Sequence, residues 1–247
     1  MPGIAQKKGE GEMKRKVFVL MLIFSALVFS GCLGKFYSYK KNPGPSIRQG
    51  TVKLPQLASR VEVYFDEYGV PQVFTENEHD LFFTIGWLQA QDRLFEMVLL
   101  RALSEGRLSE ILGDLPLKIQ GARPLDYDIH QRVWGIKYLG ETGSALAEKY
   151  RPDLFAQIQA YCDGVNTYIK MNEKNLPVEL QVLNFRPDDF QVADVLSLGL
   201  FIGHMLAYNY NIELVRYAML KEYGWDLTWK AVPFHTQMGP TIVPPEY

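Results

Sequence analysis

Cysteine, histidine and net charge are all scarce in this chain, and each scarcity removes a class of function. The four histidines, His79, His130, His204 and His235, are isolated, with no His or Cys pair at zinc-ligand spacing, so a transition-metal site is unsupported. The formal net charge is only -2 and the lysines and arginines are scattered except at the extreme N-terminus, which leaves no basic footprint for nucleic acid. Neither a phosphate-binding loop nor a dinucleotide glycine fingerprint occurs, and the Gly-x-Ser-x-Gly elbow of a serine hydrolase is missing too. Taken by itself, the chain carries no recognisable nucleophile. Long apolar runs are also lacking. The longest, Val17 to Phe29, falls short of the roughly 20 residues that a helix needs to cross a bilayer.

What is present is an ordinary globular composition, 247 residues with 47% hydrophobic and 22% charged side chains, enough to bury a sizeable core. Lys14, Arg15 and Lys16 precede the Val17–Phe29 run, and Phe29, Ser30, Gly31 and Cys32 end it, the arrangement of a secretory signal. The small residues before Cys32 resemble the lipobox of prokaryotic lipoproteins, with Phe29 where that motif usually has Leu. Residues 1–32 are therefore expected to be cleaved before Cys32, whose sulfur carries lipid; an uncleaved anchor is the alternative, and both place the rest of the chain outside the cytoplasm as a membrane-anchored protein. Only Cys162 then remains. No internal disulfide is possible, and its place between Ile158 and Val165 on a helical face predicts a small buried hydrophobe, not a nucleophile.

Residues 33–58 hold Pro43, Gly44, Pro45 and Pro55 among polar residues and read as a tether. Val61, Val63 and Phe65 alternate with Glu62 and Tyr64, Asp66 to Gly69 supplies turn residues, and Pro71 to Thr75 resumes an extended pattern, so a β-hairpin is expected with Pro71 opening its second strand. Asn77 or Asp80 can cap the long helix that follows, to about Leu103. Its face, read at Leu81, Ile85, Leu88, Asp92, Phe95 and Leu99, places a carboxylate among apolar neighbours. Such a group needs a cationic partner, and Arg93, Arg101, Arg107 and Arg123 are available. Asp92 is expected to join Arg93 and the Gly106–Glu110 turn in a buried polar brace. A short helix from about Arg107 to Leu112 comes next. Asp114 to Trp134 reads as loop, Thr142 and Pro152 as helix starts, and Pro177 to Leu183 as extended. Gly164 inside the helix after Pro152 implies a close approach by another backbone, since Gly there costs about 1 kcal/mol relative to Ala. The segment Pro187 to Phe190 opens a helix that is apolar nearly all round and runs into His204 and Met205; a last helix, Glu213 to Tyr223, stops at Gly224, and residues 225–247 have a linker composition.

Residues 61–113, then YCDGVNTYIK, LPVELQVLNFRPDDF and the GHM stretch at Gly203, resemble the α subunit of the penicillin acylase family, and the ordered series AQDR, GRLSE, DGVN carries the likeness. The resemblance covers about Val61 to Gly224. It implies an α+β fold, the mainly helical α-chain part of an αββα N-terminal nucleophile hydrolase sandwich, with residues 59–224 as the folded domain. It further implies a precursor cut into two chains, a catalytic Ser at the start of β with its own α-amine as base, and oxyanion donors on β. The expected partners are that β chain, a small-molecule linear amide (a β-lactam side chain or an N-acyl homoserine lactone) and a membrane reached through the lipid anchor. Two alternatives stand beside this reading: a non-catalytic lipoprotein binding module, and a truncated structural fragment dependent on a partner. In better-studied acylases the pocket segment reads roughly G-T-M-A-N-R-F, and Gly203 to Asn209 fall on it with only Gly and Met matching. Met205 is the implied pocket residue, while Tyr208 and Asn209 differ in charge and shape from their counterparts, against a phenylacetyl-type preference. Glu213 is the match for the α-chain ligand of the family's structural calcium, at a spacing about two residues shorter; this hard cation needs six to eight oxygens, mostly from β.

Overall fold

The structure, a computed structural model, describes residues 46–114, 122–207 and 209–233. It is mainly helical, with one small antiparallel sheet, and its contacts divide it into two compact units that meet after Leu200.

In the first unit the hairpin forms as the alternation predicts. Strands β1 (Glu62–Phe65) and β2 (Pro71–Phe74) pair Val63 with Val73 and Phe65 with Pro71, so Pro71 does open the second strand. The Asp66 carboxylate closes the turn by accepting the Tyr68 and Val70 N–H groups at 3.0 and 2.8 Å. Val63, Phe65 and Val73 face the core.

Helix α1 (Glu78–Glu105) is capped by Asn77, whose side chain accepts the Asp80 N–H at 2.8 Å. Asp80 itself is fully buried, and its carboxylate accepts the N–H groups of Ala58 and Ser59, the Ser59 hydroxyl and the Asn77 amide. Burial works to raise its pKa. The hydrogen bonds from Ala58, His79, Asn77 and Ser59 outweigh that and hold it well below the usual carboxylate range. A depressed pKa means that the stabilisation is full above the unfolded value of about 3.9 and fades as pH falls below it. Asp80→Asn, which turns an amide donor towards these donors, is expected to cost about 2 kcal/mol at pH 7, and the difference from wild type should shrink below about pH 4 in a pH series of urea titrations. Residues 46–58, the described part of the segment read as a tether, lie against α1: Ile47, Val52 and Leu54 pack on the core, and the Ile47 N–H donates to Gln91 at 2.9 Å.

Of the face read from sequence, Leu88 is buried and Phe95 packs on the core, but the buried face is rotated from it. It runs through Phe83, Trp87, Ala90, Leu94, Val98, Arg101 and Glu105, whereas Ile85 is exposed and Asp92 points outward to an ion pair with Arg48 at 2.9 Å. Asp92 is therefore not part of a buried brace, and Arg93, where the backbone leaves helical geometry (φ -138°), pairs with the exposed Glu96. Small residues decide the face. Gly86 and Gly164 let α1 lie against helix α5 (Pro152–Met171) so closely that a Cβ at Gly86 would collide with the Tyr161 carbonyl and one at Gly164 with the Phe83 carbonyl. This is the backbone approach expected for Gly164, and α1 on α5 is the most extensive helix pair. Cys162 is fully buried there, with its thiol pushed up to about 12, by burial first and then by Asp194 and Asp163. It is an inert core residue, as its position on the helical face predicts.

After α2 (Leu108–Leu112), residues 124–134 read as loop form α3 (Pro124–Trp134). Pro124 stands at the first helical position, Asp126 accepts the Arg123 N–H at 2.9 Å, and Gly135 ends the helix in the left-handed conformation (φ 70°). The brace of the Gly106 turn comes from here. Asp128 accepts the Leu108 and Ser109 N–H groups at 2.6 and 2.9 Å, and Arg132 donates to the Gly106 carbonyl at 2.9 Å. Helix α4 (Ile136–Tyr150) starts at Gly135, so Thr142 is interior, whereas Pro152 does begin α5. Residues 178–182, expected to be extended, form the short α6 (Val178–Val182), with Pro177 at its N-cap and Leu180 fully buried.

Helix α7 (Val192–Leu206) begins five residues later than Pro187, where Asp194 accepts the Gln191 N–H at 3.0 Å. It is not buried all round: Phe201 is buried, but Leu200, Ile202 and Leu206 are exposed. In the second unit α8 (Tyr210–Ala231) breaks at Gly224 (φ 75°), the stop that was expected, and then resumes helix where a linker was read. Arg216 ties that continuation back by donating to the Val232 and Pro233 carbonyls at 3.0 and 2.8 Å and lying over the Trp229 ring.

Candidate functional site

Two buried side chains, Arg101 and the Asn166 of DGVN, converge in the first unit on the chain just before α7. From α1, the Arg101 guanidinium donates to the Asp188 carbonyl at 3.2 Å, the Asp189 carbonyl at 3.3 Å and the Asp194 carboxylate at 3.1 Å, and it stacks 4.1 Å over the Phe190 ring. From α5, Asn166 accepts the Phe190 N–H at 2.7 Å and returns a bond to the Phe190 carbonyl at 2.9 Å. The planar fork of arginine and the paired donor and acceptor of asparagine match backbone groups in a way few other side chains can. Glu105, one turn beyond Arg101, is nearly fully buried and pairs with Arg107 at 3.3 Å and Lys137 at 3.8 Å. Burial first, then the Asp194 carboxylate, push its pKa up against the pull of Lys137 and Arg107. A polar cavity of about 270 Å³ lies over this cluster, lined by Arg101, Glu105, Arg107, Lys137 and Asp188 among others.

Beside the clamp a second cavity of about 380 Å³ opens between α1, α5 and α7, with Met97, Leu100, Tyr161, Phe190, Val195 and Leu198 as its apolar walls and Arg93 and Glu96 among its polar groups. Its size is that of a small ligand pocket. No pattern marked it in the sequence, because its wall is drawn from three helices far apart in the chain.

Met205 and Asn209, expected at the acyl pocket, are not among the residues that line this cavity. Met205 is about half exposed near the end of α7, Asn209 is exposed just before α8, and Glu213 is exposed in the first turn of α8. Tyr208 and Cys32 lie outside the described residues. Among the described residues no group of three or more His, Cys, Asp or Glu side chains could hold a metal. Glu213 by itself supplies at most two of the six to eight oxygens that calcium needs.

The penicillin amidase family model matches residues 60–238. The chain belongs to this family. It is 31% identical over 160 residues to the penicillin G acylase of Escherichia coli (62% of this chain, 17% of that protein), and 29% identical over 181 residues to acyl-homoserine lactone acylase QuiP of Pseudomonas aeruginosa (73% and 20%). Among solved structures, the thermostable penicillin G acylase from Alcaligenes faecalis superposes with a TM-score of 0.57 at 25% identity, over 75% of this chain and 97% of that one. The chain thus spans about a fifth of the length of the curated relatives it matches. Its helical layers and hairpin are part of the N-terminal nucleophile hydrolase fold of the penicillin amidases. Within that fold, AQDR lies at the break in α1, GRLSE is the turn braced by Asp128 and Arg132, and DGVN supplies Asn166. All three motifs build scaffold here.

Proposed function

We propose that this chain is the α portion of an extracytoplasmic amidohydrolase that cleaves a linear amide, of the β-lactam side-chain or N-acyl homoserine lactone kind. In this reading the catalytic Ser begins a β chain, and its own α-amine, titrating near 7.7–8.0, accepts the hydroxyl proton without a histidine. One observation carries it: the chain covers 97% of a solved penicillin G acylase chain but only about a fifth of the curated acylases, as one chain of a two-chain enzyme would. The apolar surface agrees. Ile129 and Val133 of α3 and Tyr138, Leu139 and Leu146 of α4 are exposed, and so, in the second unit, are Leu214, Trp225 and Leu227. Apolar residues at this density call for a covering partner. Met205 contributes one wall of the acyl pocket, with Tyr208 and Asn209 beside it. Glu213 is the α-chain ligand of a calcium whose other oxygens come from β, and lipid on Cys32 holds the complex at the membrane.

Co-expression tests this. Produced alone, the chain is expected to be insoluble or to bind ANS strongly; produced with the reading frame that follows it, it should form a soluble complex that hydrolyses amides of graded acyl length. A soluble, monomeric chain carrying a tightly bound small molecule would instead establish a binding module.

A further inference from the structure

We propose that α3 is a docking helix, whose outward row of Leu125, Ile129 and Val133 seats in an apolar groove of the β chain. This deepens the reading of the chain as the α portion of a two-chain enzyme and rests on it. The helix is inverted relative to an ordinary surface helix, because what it turns inward is polar. Asp128 is buried and accepts the Leu108 and Ser109 N–H groups, Gln131 is buried beside it, and Arg132 donates to the Gly106 carbonyl. Its apolar side chains point the other way. Leu125, Ile129 and Val133, at the four-residue spacing of one helical face, are 37%, 55% and 80% exposed. The polar contacts already seat α3 on the Gly106 turn, so the row contributes nothing to the packing of this chain, and its exposure to water is unfavourable. Apolar anchors at i, i+4 and i+8 are what a helix laid in a groove presents to its partner.

Size and charge select the occupant. Three aliphatic side chains fall far short of the about 800 Å² that each partner buries in a stable interface, so whatever covers them also covers other surface. The exposed Tyr138, Leu139 and Leu146 of α4 are apolar surface of that kind. A chain that matches about a fifth of the curated acylases leaves a partner several times its own size to supply the area. A lipid surface fits less well. Helices that lie on membranes carry Lys and Arg on their exposed polar face, whereas at α3 Arg123 pairs with Asp126 and Arg132 is committed to the Gly106 carbonyl.

The complex with the β chain tests this in two ways. Ile129→Cys and Val133→Cys are labelled with a maleimide in the complex and again after unfolding in urea, and the modified residue is located by peptide mass. Cys162, fully buried, is the unreactive background. In the complex both new thiols should be protected about a hundredfold or more. In the second test Ile129→Glu is combined with Val133→Lys, which replaces the row by an i,i+4 ion pair that favours the helix itself, so a loss of binding does not arise from a melted α3. The affinity between the chains should fall about thirtyfold or more, as for the loss of an interface anchor. Met171→Lys, a charge at an exposed apolar residue ending α5, should leave it unchanged. Rapid labelling of both cysteines in an intact complex, unchanged affinity in the charged pair, or an equal loss in Met171→Lys would overturn the docking of α3 and leave the two-chain reading standing. If the unsubstituted chain forms no complex, both fall. Protection that appears without β and grows with the concentration of this chain would identify a second copy as the occupant, and protection that needs lipid vesicles a membrane; either overturns the proposal.

Discussion

Replacing Arg101 with Met is expected to remove about 3–5 kcal/mol of folding stability, the range measured when one partner of a buried ion pair is deleted. The side chain is 5% exposed, and its loss takes the guanidinium from the Asp188 and Asp189 carbonyls and leaves the Asp194 carboxylate with the Gln191 N–H but no cation from α1. Methionine fills much of the space, so the deficit is electrostatic and not a cavity. The pH dependence identifies it. Glu105 has a raised pKa, by burial and by Asp194, so its protonated form favours the fold: that contribution is full below the unfolded carboxylate value and lost as pH rises through the folded one. With Arg101 gone, the Asp194 charge beside Glu105 loses its ion-pair partner, so protonation of Glu105 relieves more repulsion. The loss in Arg101→Met should be greatest at neutral pH and shrink in acid, as urea unfolding of the assembled complex at a series of pH values would show. A loss below about 1 kcal/mol at pH 7 would mean that the clamp is solvated and that its bonds exchange freely with water.

Gly164→Ala is expected to cost about 3 kcal/mol or more, although alanine gains about 1 kcal/mol of intrinsic helix propensity over glycine. The clash decides the sign, because the new methyl would overlap the Phe83 carbonyl and crowd the Trp87 N–H across the α1–α5 crossing, where backbone cannot swing aside as a side chain can. Gly86→Ala should behave alike from the opposite helix, against Tyr161. Gly199→Ala is the control within this chain, since open space surrounds that position and only the propensity gain applies. Thermal unfolding of the three variants would sink the argument if Gly164→Ala and Gly199→Ala moved together.

The same geometry explains what pattern reading could and could not find along α1. Two helical faces are apolar in this sequence, one through Leu81, Ile85 and Leu88 and one through Phe83, Trp87 and Leu94, and periodicity does not choose between them. Gly86 and Ala90 choose, because only the face containing them lets α5 approach to backbone contact. Rotating the face moves Asp92 out to Arg48 and brings Arg101 and Glu105 inside, which transfers the buried ionic cluster to residues that periodicity had left on the surface. Helix α3 failed for the opposite reason. Its start and stop signals, Pro124, Asp126 and Gly135, were present, but Leu125, Ile129 and Val133 form its apolar row and all three are exposed in this chain, so no core face announced it.

By itself the sequence determined the elements whose signals are local: the hairpin with its Asp66–Gly69 turn, the Asn77 cap, the break at Gly224, the backbone approach at Gly164, and, through the ordered AQDR, GRLSE and DGVN motifs, the family. Those features have signals in φ/ψ preferences and in residues within a few positions of one another, as with a glycine placed inside a helical pattern at Gly164, although which backbone approaches there is not local. Only the tertiary structure decided which face of α1 is buried, that Asp128 and not Asp92 braces the Gly106 turn, and that Arg101 and Asn166 meet across more than sixty residues of chain on the segment before α7. Those outcomes turn on backbone-to-backbone distances and on desolvation of charges by distant helices, quantities that exist only once the chain has packed.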